Sequence, residues 1–151
     1  MPEFKFVIRT EDQGTTNEDK IEQGLAACWA VIAMNIIFFR RHPDASCALA
    51  EGRVRYDSEN KDDLAMVGEI STAPVLISTG VGLCIDIVAF DVASRRFHGT
   101  ESWPSVFSRG GGIFHVVTHA FGPDGRVVQY DPSAELEQNG YVSSFVPRRC
   151  N

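Results

Sequence analysis

Polar and apolar positions change their rhythm near Pro74. From Ile21 to Arg41 apolar residues recur at spacings of three and four, with Leu25, Cys28, Ile32, Asn35 and Phe39 on one line and Trp29, Ala33, Ile36 and Ile37 beside it. That pattern predicts a helix over 21–41, ended by His42-Pro43. Its apolar positions run most of the way round, so the helix is expected to be central and buried on several sides. Upstream, residues 4–9 alternate as a short strand, and 11–19 form a polar loop rich in turn and cap formers. Residues 44–70 are expected to hold one or two shorter helices, alanine-rich at 45–50 and charged at 57–63.

After Pro74 the period shortens. Val75 to Ser78 and Leu83 to Val92 are β-branched and alternating, which predicts strands, with a turn at Ala93-Ser94 and a loop from His98 to Gly112. Ile113–Phe121 and Arg126–Tyr130 alternate on either side of Gly122-Pro123-Asp124-Gly125, a hairpin signature. Helices first and an antiparallel sheet afterwards predict a single α+β domain over residues 1–151.

Composition narrows the function classes. At 151 residues and a formal charge of −6, with the pairs Arg40-Arg41, Arg95-Arg96 and Arg148-Arg149 scattered, the chain carries no basic stripe and no nucleic-acid partner is expected. The apolar stretch Leu25–Phe39 is interrupted by Asn35 and is expected to be too short for a bilayer, so no membrane partner is expected either. The N-terminus lacks the apolar segment of a signal peptide. A soluble, cytoplasmically synthesised protein is expected, with export through a specialised secretion system left open. Four cysteines are too few for a disulfide scaffold and lack zinc-finger spacing, so free thiols in a reducing compartment are expected. No third ligand joins His115 and His119, and no metal or cofactor is expected.

Nucleophilic cysteine chemistry needs an activated thiol, a nearby histidine and a group that fixes the imidazole. Cys28 follows Gly24, a poor helix-interior residue, so a helix starting near Ala27 would place this thiol in a first turn where the backbone dipole favours thiolate. The hairpin supplies the partners. A turn centred on Pro123-Asp124 sets Val116 opposite Asp131. A shift of one residue sets Val117 there and puts His115 diagonal to Asp131 on the same face. His119 lies nearer the turn, facing Val128 or Gln129.

Gln23-Gly24-Leu25-Ala26-Ala27-Cys28-Trp29-Ala30, followed by Phe114-His115-Val116-Val117 and Tyr130-Asp131-Pro132, resembles the papain-like cysteine peptidases of compact bacterial type. These are the bacteriocin-leader peptidases and the Cys-Trp-Ala effector proteases. The likeness brackets residues 23–132 and leaves 43–110 unmatched. It implies a papain-like fold, with a central N-terminal helix packed on a C-terminal antiparallel sheet. It also implies a catalytic set: Cys28 as nucleophile, His115 as base and acid, Asp131 as imidazole orienter and Gln23 as oxyanion donor. The activity implied is that of a thiol amide hydrolase, a protease or a protein-glutamine deamidase acting on a protein or peptide. A toxin or effector of this kind would have an inhibitor or immunity protein as a partner.

Two alternatives stand beside it. Gly82-Leu83-Cys84-Ile85-Asp86, with His115 and Asp131-Pro132, resembles the transglutaminase-like pattern, in which the cysteine opens a helix. That reading needs a helix where alternation predicts a strand. The other is a catalytically silent papain-like module that binds a peptide in its cleft. Cys47 and Cys150 have no partner at useful spacing and are expected to be inert.

Overall fold

A computed structural model describes residues 16–58, 70–111 and 113–150. The expected strand at 4–9 lies outside the described residues, as do most of the polar loop at 11–19 and of the charged stretch at 57–63. Helix α1 runs Asn17–Arg41. Thr16 caps it, its Oγ1 accepting the Asp19 N–H at 3.1 Å while the Asp19 carboxylate accepts the Thr16 N–H at 3.0 Å. The capping box starts the helix ten residues before the start near Ala27 that the Cys28 reading requires. Gly24 is carried inside it.

Helix α1 is also not the buried centre. Its buried side chains, Cys28, Ile32, Asn35 and Phe39, form one line, while Trp29, Met34 and Ile37 are exposed. Against the expectation drawn from 25–39, α1 is long and apolar enough to cross a membrane by length and composition, and 17% of its most apolar window is buried. Asn35 is buried within the fold, and its Oδ1 accepts the Ala73 N–H at 2.7 Å.

A 3-10 turn, Pro43–Cys47, follows α1. Strand β1, Arg55–Tyr56, then pairs in parallel with β2, Val81–Gly82. Between these strands lies helix α2, Ala73–Thr79, where alternation predicted a strand. Pro74 at its first turn and Gly80 at its left-handed C-cap, φ 72°, enclose a helix too short to display a period.

The larger correction concerns 83–92. These residues belong to helix α3, Cys84–Phe97, and every residue from Asp86 to Arg95 is buried. A helix buried on all sides has no polar face, so its apolar residues mimic a strand's alternation. Asp86 starts it: one carboxylate oxygen accepts the Leu83 N–H at 3.0 Å and the other the Ser71 N–H at 2.7 Å. Helix α3, not α1, is the centre, packed against α1, the three-stranded sheet and α4.

That sheet has the order β3-β4-β5, with β3 Ser102–Gly110, β4 Ile113–Phe121 and β5 Val127–Tyr130, all antiparallel. Strand β3 replaces most of the expected loop at 98–112, and its Trp103 meets the rings of His119 and Phe121. Strands β4 and β5 form the expected hairpin, with Thr118 opposite Tyr130 and His119 opposite Gln129. This is the shifted register. Helix α4, Pro132–Asn139, continues directly from β5. The architecture is α+β.

The described residues end in a 3-10 turn, Arg148–Cys150, that lies over Pro43–Cys47. Cys47 and Cys150 form a disulfide there, with Cα atoms 5.4 Å apart at a sequence separation of 103. The expectation of free thiols is corrected at these two positions and stands at Cys28 and Cys84. The fold, not sequence spacing, brings the pair together.

Candidate functional site

The hairpin and α4 bring His115 and Asp131 together. His115 lies on β4 and is 5% exposed, with its Nε2 2.7 Å from Oδ2 of Asp131. Asp131 is the residue that caps α4: its Oδ1 accepts the Ala134 N–H at 3.2 Å. One oxygen is thus held by a helix end and the other is aimed at the imidazole. Pro132 at the first helical position presets the turn out of β5. Burial alone would raise the Asp131 carboxyl. The His115 hydrogen bond and charge, with the Ala134 N–H and Arg109, carry it below its ordinary value. With Nε2 committed to Asp131, Nδ1 is the ring nitrogen left for a thiol.

Cys84 is the first residue of α3 and is 1% exposed. Its sulfur sits among the N–H groups of Val116 and Ile85 and senses the Asp131 charge. Val116 follows His115 on β4, so the cysteine at the start of α3 faces the strand that carries the histidine. Burial pushes the Cys84 thiol up to about 11, against the pull of those two N–H groups.

Cys28 is placed differently. It lies in the middle of α1, fully buried, and burial followed by the charges of Asp86 and Cys84 pushes its thiol up to about 12. Among the described residues neither Cys28 nor Cys84 is hydrogen-bonded to His115 or Asp131. Cys84 nonetheless meets the Val116 N–H beside His115 and senses the Asp131 charge, and Cys28 does neither. Gln23 is exposed on the same continuous helix. Five residues along a helix turn a side chain by roughly 140°, so Gln23 and Cys28 leave α1 in different directions and do not converge on one carbonyl. The helix-end position on which the Cys28 reading rests belongs instead to Cys84.

His119 faces Gln129, its Nε2 3.2 Å from Oε1, one pair nearer the turn than the Thr118–Tyr130 pair. Further residues surround the Cys84 site. Phe107 of β3 stands edge-on to the His115 ring at 5.5 Å, and the Arg109 guanidinium lies over the Phe107 ring at 5.9 Å. Tyr56, opposite Gly82 across the β1–β2 pair, has its phenol pushed up to about 12 by burial and by the charges of Cys84 and Glu137, with Arg109 opposing. Nothing in the local sequence around Tyr56 marks it. It reaches the site through pairing between segments about 25 residues apart.

The arrangement offers a thiol at a helix start, an imidazole with one free nitrogen and a carboxylate behind it, the components of acyl transfer through a thioester. No protein-family model, curated protein or solved structure matches the chain.

Proposed function

We propose that the chain is a cysteine-dependent acyl-transfer enzyme acting on an amide carbonyl, with Cys84 as nucleophile, His115 as general base and acid, and Asp131 as the group that orients the imidazole. The observation that carries this reading is Cys84 at the first position of α3 against β4, whose His115 is held by Asp131 at 2.7 Å. It follows the transglutaminase-like order of cysteine, histidine and Asp-Pro, with the cysteine opening its helix.

As the Cys84 sulfur attacks the carbonyl carbon, its proton passes to His115 Nδ1. The developing oxyanion is met by first-turn N–H groups of α3, which have no partner inside the helix. The carbon–nitrogen bond then breaks, His115 returns the proton to the leaving amine, and a thioester remains on Cys84. Water completes a hydrolase cycle and a second amine completes a transferase cycle. Both use the same groups.

Acetylation by p-nitrophenyl acetate tests the assignment, read as p-nitrophenol release and as an acetyl adduct by intact mass. Cys84→Ala should abolish the adduct, Cys28→Ala should leave it near wild type, and His115→Ala should slow its formation about 10²–10⁴-fold. An adduct that survives Cys84→Ala and vanishes in Cys28→Ala would return the nucleophile to α1. No adduct in the wild type would leave a silent binding module.

A further inference from the structure

Remote from Cys84, the Cys47–Cys150 disulfide lies beside His98. One ring nitrogen of His98 and the two sulfurs all lie within 4.8 Å of one another. The three donors come from three places in the chain: the turn after α1, the end of α3 and the C-terminal turn. The fold has therefore already met the cost of assembling them.

The hydrogen bonds of Ser46 fix the tautomer of the His98 imidazole. The Ser46 hydroxyl has one proton, which it donates to the Pro43 carbonyl at 2.6 Å. Its contact with His98 Nε2 at 2.9 Å is then one in which Nε2–H donates, and Nδ1 keeps its lone pair. The rings of Phe97 and Phe145 flank His98 at 5.0 and 6.1 Å and limit its rotation. Bond lengths of about 2.3 Å to sulfur and 2.0 Å to nitrogen place tetrahedral zinc ligands roughly 3.5–3.8 Å apart. Three donors within 4.8 Å need only a small adjustment once the sulfur–sulfur bond is open.

We propose that Cys47, Cys150 and His98 form a redox-gated zinc site. A thiol reductant of the glutathione class opens the disulfide: two reductant thiols become one reductant disulfide, and Cys47 and Cys150 become thiols. Zn²⁺ then replaces the two thiol protons, which leave to solvent, and is bound by two thiolates and the His98 nitrogen, with water as fourth ligand. In an oxidising compartment the same side chains form the disulfide. Either state ties the C-terminal turn to the segment after α1.

The test is zinc binding by the full chain, oxidised and after reduction with a phosphine, read by competition with a chromogenic chelator and by elemental analysis. The reduced chain should take up one Zn²⁺ and the oxidised chain none. Substituted Co²⁺ should give a thiolate charge-transfer band. His98→Ala should weaken zinc binding by the reduced chain at least tenfold, while its oxidised form keeps the disulfide and the wild-type circular dichroism spectrum. Cys28→Ala with Cys84→Ala should leave binding intact. No uptake by the reduced chain, uptake insensitive to His98→Ala, or uptake lost in the Cys28/Cys84 variant would each overturn the site.

Discussion

The Cys84 sulfur stands under two opposing influences, and their sizes decide its resting state. A helix N-terminus stabilises a negative charge by about 0.3–1 kcal/mol. Burial acts the other way, and a thiol raised from 9.0 to about 11 corresponds to roughly 3 kcal/mol against the thiolate. Burial wins, so below pH 11 the thiol keeps its proton and nucleophilic attack must be coupled to transfer to His115. The sign is that of any acid whose pKa is raised: the reactive thiolate fraction grows as pH rises toward the shifted value. In a Cys28→Ala background, alkylation by iodoacetamide should therefore rise with a midpoint near 11. A midpoint at or below neutrality would mean a preformed thiolate–imidazolium pair and would contradict a neutral resting thiol.

Among the elements, α1 and α3 exchange the roles their patterns suggest. Helix α1 looks apolar all round, yet only one line of it is fully buried; Ile32 is 1% exposed and Ile37 is 53% exposed. Ile32→Ala should cost about 2–5 kcal/mol of unfolding free energy in urea, by lost transfer and cavity formation. Ile37→Glu should stay within about 0.5 kcal/mol of wild type, and a larger loss would show that something covers this face. The hairpin was legible because the Pro-Asp-Gly turn and the two-residue period agree, and that agreement located His115 and Asp131. Helix α3 was not, because complete burial erases the polar face that identifies a helix. A signal was nonetheless present: Asp86 stands three residues after Leu83, where a carboxylate can cap a helix start. Because that cap opens a helix at Cys84, it outranks the alternation of Ile85, Ile87 and Ala89 and makes Cys84, not Cys28, the helix-opening cysteine. The alternative built on Gly82-x-Cys84-x-Asp86 contained that information, and the α1 capping box, Thr16 with Asp19, was equally visible.

At the scale of the molecule, two constraints tie the C-terminal segment to the centre. Arg95, 2% exposed on α3, donates to Asp91 at 2.8 Å and to the Ser144 hydroxyl at 2.8 Å, and its guanidinium lies over the rings of Tyr130 and Phe145. Ser144 in turn donates to Glu135 of α4 at 2.7 Å. Leaving one member of a buried pair without its counter-charge costs about 3–5 kcal/mol, so Asp91→Ala should be severely destabilising. The disulfide acts mainly on the other side of the equilibrium, by restricting the unfolded chain across a 103-residue separation. The chain-entropy relation gives about 4.7 kcal/mol for a loop near 100 residues, and removal of native disulfides costs roughly 2–5 kcal/mol. Replacing both Cys47 and Cys150 by serine should therefore lower the urea midpoint by the equivalent of about 2–5 kcal/mol. The Arg95–Ser144–Glu135 contacts remain in that variant, so the folded state should keep its circular dichroism spectrum. A midpoint shift worth under about 1 kcal/mol would mean that the unfolded chain gains little freedom when the link is cut, and the chain-entropy account of this disulfide would fail.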